Sequence, residues 1–249
     1  MRILVAVKQI KVLGDEVEFT ADGRDVDPDY LDRALNEWDA CATEEAIRIR
    51  ERLGDGEVVV VTAGDAPAEG ALRRCLAMGA DRAVRVDAEP LDPVSAARAL
   101  AVAIGAESPD LVLTGVQSAD SVQGSTGVAL AELLGIARVA VVTKLEWSGA
   151  GPATVHRELE GGLVDVVEVD TPALLTIQTG INAPRYANLR AIKQAEQREI
   201  TVLPADPGEP AYRVRRMFPP PRGAGAELLD GSPAEVAQRI LELVRERLA

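Results

Sequence analysis

The sequence predicts an α/β fold built on a doubly wound, mostly parallel sheet, and three observations carry this. The stretch Met1–Val7 is apolar apart from Arg2, as a strand covered on both faces must be. Further apolar runs alternate with stretches of helical spacing joined by short loops, the pattern of right-handed strand–helix–strand units. The composition is 47% hydrophobic but only 3% aromatic, with 21 glycines and 15 prolines in 249 residues. That suits layered strands and helices rather than a disulfide-stapled or fibrous chain.

The elements follow in order. After the first strand comes an acidic, turn-rich insertion over Gly14–Asp29. The stretch beginning Asn36-Glu37-Trp38-Asp39 keeps helical spacing to Leu53 and stops at Gly54. A strand at Glu57–Thr62 leads through Ala63-Gly64-Asp65 into a helix reaching Met78. A short strand at Ala83–Val86, a helix from Asp92 to Ile104 and a strand at Leu111–Thr114 continue the alternation. Gly115–Gly127 is a polar, glycine-punctuated loop that enters the apolar helix Val128–Leu134.

Past Gly135 the helices drop out. Val139–Trp147, Thr154–Leu159, Leu163–Val169 and Ala173–Gln178 read as strands, with Glu160-Gly161-Gly162 as a hairpin turn where glycine supplies positive φ. The sheet is therefore expected to end in antiparallel strands. A helix over Leu189–Glu196 belongs to an α/β domain assigned to residues 1–203, and residues 204–249 form a C-terminal arm plus helix. Pro204–Pro221 is too rich in proline and glycine to build a core. Ser232-Pro233-Ala234-Glu235 then starts a terminal helix whose stripe of Ile240, Leu243, Val244 and Leu248 needs burial against its own domain or a partner.

Forty acidic against 27 basic residues, a net charge of -13, argues against nucleic acid as a partner, because phosphate binding needs a basic field. Lys8 and Lys11 come too early for a secretory signal and no apolar run approaches a membrane span, so a cytoplasmic location without direct membrane insertion is expected. Cys41 and Cys75 have no thiol neighbour and His156 is the sole histidine. Neither a metal site nor a Cys/His nucleophile pair can be assembled from these; buried helix thiols and a strand histidine are the expected roles. No catalytic residue is assigned.

The loop Gly115–Gly127 falls at the carboxyl end of a parallel strand, where open α/β sheets bind ligands. Its last residues, Gly124-Ser125-Thr126-Gly127, open a helix, so bare N–H groups and two hydroxyls could meet a phosphate there. From the loop alone, phosphate binding and a plain helix cap stay open, since neither G-x-x-x-x-G-K-[ST] nor G-x-G-x-x-G is present. Ala6-Val7-Lys8 and Thr62-Ala63-Gly64 converge on the same crevice. The segment Asn182–Lys193 joins positive charge to an apolar side chain, a leucine ringed by Arg and Lys, which suits either docking to an acidic partner or the basic first turn of a surface helix.

The run Val155-His156-Arg157-Glu158-Leu159-Glu160-Gly161-Gly162, followed by Glu168–Thr176, resembles the signature of the electron transfer flavoprotein β (small) subunit. Leu4–Gln9, Cys75–Arg82 and Asn182–Leu189 resemble other parts of that subunit in the same order. The resemblance implies an adenine-nucleotide-hydrolase-like sheet and a heterodimer whose α subunit carries a redox-active FAD, while this subunit holds a structural AMP. It implies an AMP pocket of Ala6, Asn36, Glu37, Trp38, Asp39, Ala63, Gly115, Gln117, Asp120, Ser121, Val122, Gln123, Gly124, Ser125 and Thr126. It also implies a dehydrogenase-docking loop of Pro184, Arg185, Tyr186, Leu189, Arg190 and Lys193, with Leu189 as the inserted side chain.

Single electrons would pass from acyl-CoA or related dehydrogenases, as in fatty acid oxidation, to a membrane quinone oxidoreductase. Three positions depart from the family pattern. Asn36-Glu37-Trp38-Asp39 stands where many members have Asn-Pro and an aromatic, Leu13 where some carry a tyrosine near the flavin, and Asp120 alone represents an acidic run. The Arg157–Gly162 run favours AMP over the second FAD of electron-bifurcating members, which lack it. Two other readings are a free-standing nucleotide-binding module of universal-stress type and an adenylating pyrophosphatase, although no Ser-Gly-Gly loop follows the first strand.

Overall fold

A computed structural model describes residues 1–221, 223, 225–226 and 228–248. Within the predicted arm, Arg222, Ala224, Glu227 and Ala249 thus lie outside the described residues. The elements are β1 (Arg2–Ala6), β2 (Gln9–Leu13), β3 (Leu31–Leu35), α1 (Glu37–Leu53), β4 (Glu57–Ala63), α2 (Glu69–Met78), β5 (Arg82–Asp87), α3 (Pro93–Glu107) and β6 (Leu111–Gly115). There follow α4 (Thr126–Leu134), β7 (Ala137–Glu146), β8 (Ala153–Glu158), β9 (Val164–Val169), β10 (Ala173–Ile177), α5 (Leu189–Glu196), β11 (Thr201–Pro204) and α6 (Pro233–Leu248).

One nine-stranded sheet has the order β11-β5-β4-β1-β6-β10-β7-β8-β9. From β11 to β7 all neighbours are parallel, and β8 and β9 add antiparallel strands at one edge. The near-continuous apolar run of β1 has a simple cause. Ile3 and Val5 feed a core shared with α1 and α2, while Leu4 and Ala6 feed a second core under α3 and α4. Strand order reverses around β1, with β4 and β5 on one side and β6 on the other, which leaves a crevice at the carboxyl ends.

Several boundaries follow the sequence closely. Helix α1 stops at Gly54, which takes the left-handed φ of 71°, and α3 begins in a capping box between Asp92 and Ser95. The turn between β8 and β9 uses Gly161 and Gly162 at φ 76° and 75°. Cys41 and Cys75 are buried free thiols in α1 and α2.

Three features differ from expectation. Strands β2 and β3 form a separate two-stranded antiparallel ribbon around the acidic insertion, held down by the buried Ile10. Strand β10 does not stay with the hairpin but returns between β6 and β7, because all five of its residues are buried and need cover on both faces. Strand β11 extends the sheet beyond β5 and takes in Pro204, the first residue of the expected arm. The final helix α6 buries no residue, and Ile240 and Val244 are each about half exposed.

Candidate functional site

The carboxyl ends of β1, β4 and β6 open on one cavity of about 220 Å³. Its wall is built from Ala6 at the end of β1 and Lys8 beyond it, Ala63 at the end of β4, Asn36 and Asp39 at the start of α1, the loop 115–127, the start of α3 from Asp92, and Tyr212 of the arm. Two alanines in that wall let a flat ring lie close to backbone, whose N–H and C=O groups can then read its edge.

Asp39 organises the wall. One carboxylate oxygen accepts from the backbone N–H of Gly115 at 2.8 Å and the other from that of Lys8 at 2.8 Å. Burial pushes its pKa up to about 7, against the opposing pull of these N–H donors. Glycine is required at position 115 by this approach, since a Cβ there would stand 2.5 Å from Asp39 Oδ1 and 2.6 Å from Trp38 Cβ. Asn36 completes the clasp by donating from Nδ2 to the carbonyl of Gln117 at 2.8 Å and accepting from Ala119 N–H at 3.3 Å.

The loop itself is drawn onto β1 by Lys8, whose Nζ donates to Asp120 Oδ1 at 2.6 Å and to Ser118 Oγ at 3.1 Å. Burial works to raise the Asp120 carboxyl, but hydrogen bonds from Lys8 and Ser118 outweigh it and hold the group below the usual carboxylate range. Val122 sits at φ 50°, an uncommon conformation for a β-branched residue, held by its N–H to Ser118 O at 2.9 Å. The loop ends at Ser125, which caps α4 without a side-chain hydrogen bond. Its hydroxyl and the first N–H groups of α4 are therefore positioned for an anion.

The fold thus brings Ala6, Asn36, Asp39, Ala63, Gly115, Gln117, Ser121, Gln123, Gly124, Ser125 and Thr126 to one cavity. It does not bring four others to the wall. Glu37 is exposed, Trp38 donates its indole N–H to Gln178 Oε1 at 2.9 Å, Asp120 holds Lys8 and Val122 points to solvent. Sequence reasoning brought Ala6-Val7-Lys8 to this crevice but missed Asp92 and Tyr212. The Asp-Pro-x-Ser start of α3, after a parallel strand, was an available signal for Asp92; nothing in the arm marked Tyr212.

The segment 182–193 is tied to α1 through Asn182 and Arg185, and its helical part, α5, packs against α2. Asn182 Nδ2 donates to Cys41 O at 3.0 Å and to Glu45 Oε2 at 2.9 Å. Arg185 donates to Glu44 at 2.8 Å and, through both terminal nitrogens, to Glu51 at 2.7 and 2.9 Å. Burial works to raise the Glu44 carboxyl, but Arg185 and Arg48 outweigh it and hold it below the usual range. Asn188 caps α5 by accepting from Ala191 N–H at 2.9 Å, while Ala187 and Ala195 are buried beneath. What projects is Leu189, 78% exposed, and Tyr186, 91% exposed with Arg74 over its ring at 5.3 Å. Pro184, Arg190 and Lys193 are exposed beside them, and among the described residues neither Arg190 nor Lys193 enters an ion pair.

Among the described residues no helix is long and apolar enough to cross a membrane, and no group of three or more His, Cys, Asp or Glu is placed to hold a metal ion. The family profile described as electron transfer flavoprotein domain matches residues 26–207. The chain is 45% identical to the electron transfer flavoprotein subunit beta of Methylophilus methylotrophus, over 99% of this chain and 98% of that one. It is 33% identical to the subunit of that name from Syntrophomonas wolfei, over 98% and 96% of the two chains. The Bacillus subtilis subunit of that name is 32% identical over 98% of each. On a profile spanning most of its length and relatives aligned from end to end, the chain belongs to the electron transfer flavoprotein family, as a β subunit.

Proposed function

We propose that this subunit holds AMP as a structural ligand, pairs with an α subunit that bears FAD, and docks acyl-CoA or related dehydrogenases in the cytoplasm. Single electrons then pass through the flavin of the complex toward a membrane quinone oxidoreductase, and this chain is a carrier subunit rather than a catalyst. The observation that carries the nucleotide reading is the convergence of Ala6, Ala63, Asp39 and the loop 115–127 on one cavity, with the open start of α4 on its wall. Lys8 stands on the same wall, its ammonium held by Asp120. The Arg157–Gly162 run favours AMP over a second FAD in that cavity.

Leu189 supports the docking reading, as an exposed apolar side chain on a segment tied to α1 from beneath. Arg185 serves that segment by positioning it, since Glu44 and Glu51 already engage its guanidinium, and Arg190 and Lys193 provide the charge that steers an acidic partner. The uncovered stripe of α6 is assigned to the α subunit. Co-expression with a candidate α subunit should yield a yellow heterodimer; a colourless monomer would overturn the assignment.

A further inference from the structure

We propose that the first part of the arm, residues 206–212, is a strap across the mouth of the cavity, and that Tyr212 is a nucleotide-retaining residue. The inference rests on reading the cavity as a nucleotide site. After β11 the chain does not leave the domain. It turns at Gly208, whose N–H donates to Asp206 Oδ1 at 2.8 Å and whose φ of 69° suits glycine. Arg98 of α3 then donates to the carbonyl of Glu209 at 3.0 Å.

Two further bonds set the strap on opposite walls. On the α3 side, Asp92 Oδ2 accepts from the backbone N–H of Ala211, while its Oδ1 accepts from Ser95 N–H at 2.7 Å. The carboxylate that caps α3 therefore also ties down the arm. On the loop side, the Tyr212 hydroxyl donates to Gln123 Oε1. Tyr212 lines the cavity while remaining 43% exposed, and with Ala211 bonded to Asp92 and its own hydroxyl to Gln123 it bridges α3 and the loop that precedes α4. Farther along, Met217 N–H donates to Gly23 O at 2.8 Å, tying the arm to the acidic insertion.

A ligand behind this strap leaves only when the strap lifts, so residence time depends on bonds that the ligand itself does not make. Bound nucleotide and closed strap should stabilise each other, because each favours the same state of the arm.

The test uses the co-expressed complex with the α subunit, loaded with labelled AMP and chased with excess unlabelled AMP. Tyr212→Ala, which removes the ring and its bond to Gln123, should release label on the order of tenfold faster. Tyr212→Phe should fall between it and the parent, while FAD content stays unchanged in both. A parent that holds AMP beside a Tyr212→Ala complex that releases it at the parental rate overturns the strap alone. A parent that takes up no AMP overturns the nucleotide reading and the strap with it. Amide hydrogen exchange on the unmutated complex gives an independent measure, should the variants not fold. Residues 206–212 should exchange more slowly with AMP present, and equal exchange with and without AMP overturns the strap.

Discussion

The carboxylate of Asp39 and the backbone N–H of Gly115 lie 2.8 Å apart, and this hydrogen bond ties the first turn of α1 to the carboxyl end of β6. The second oxygen ties the same turn to the end of β1 through Lys8 N–H. One buried side chain thus fixes three elements whose ends form the cavity wall.

A pH dependence follows. Burial raises the Asp39 pKa from 3.8 to about 7, so between those values the folded protein holds a proton that the unfolded chain has released. The associated stability is fully present below the lower value and is lost as pH rises through the upper one. In the nucleotide-free protein, Asp39→Asn should flatten the fall in melting temperature between about pH 4 and pH 7. It should also lower stability at all pH by about 1–3 kcal/mol, because the amide Nδ2 cannot accept from the second N–H. Thermal melts across pH check both, and an unchanged slope would count against the role given to Asp39.

Gly115→Ala places a Cβ in contact with Asp39 Oδ1 and Trp38 Cβ, neither of which can retreat without disturbing α1. A loss of about 1–3 kcal/mol is expected from overpacking, with AMP content reduced in the purified complex. Chemical denaturation and nucleotide extraction on one sample test both parts.

Leu189→Ala should slow electron transfer from a dehydrogenase by on the order of tenfold, since a single buried anchor commonly carries that much of an interface. AMP and FAD content should not change. Stopped-flow reduction of the flavin measures it, and normal rates would remove the docking assignment.

Arg185 and Lys193 should separate positioning from steering. Arg185→Ala leaves Glu44, 2% exposed, without its main partner, so the segment should loosen at a cost of about 1–3 kcal/mol. Transfer should slow with its salt dependence retained. Lys193→Ala should leave stability unchanged and weaken the salt dependence of association instead.

Much of this molecule was legible in its residues. The apolar run of β1, the stop at Gly54 and the Asp92 start of α3 each follow from local chemistry, and alternation alone placed the loop 115–127 at a ligand-binding edge. What could not be read locally depends on long-range pairing. Gln9–Leu13 alternates for too few residues to announce a ribbon, and its partner β3 lies beyond a long insertion. The position of β10 between β6 and β7 reflects burial on both faces, which its sequence shares with any core strand. Trp38 leaves the cavity because Gln178, 140 residues on, accepts its indole N–H. Tyr212 stands in a stretch whose proline and glycine content reads as linker, and its place comes from long-range bonds, Arg98 to Glu209, Ala211 to Asp92 and Tyr212 itself to Gln123.

The most direct test of the central claim is the acid-extracted nucleotide content of the purified complex formed with the α subunit. One AMP and one FAD per heterodimer are expected; two FAD without AMP, or no AMP at all, would contradict the reading of the cavity.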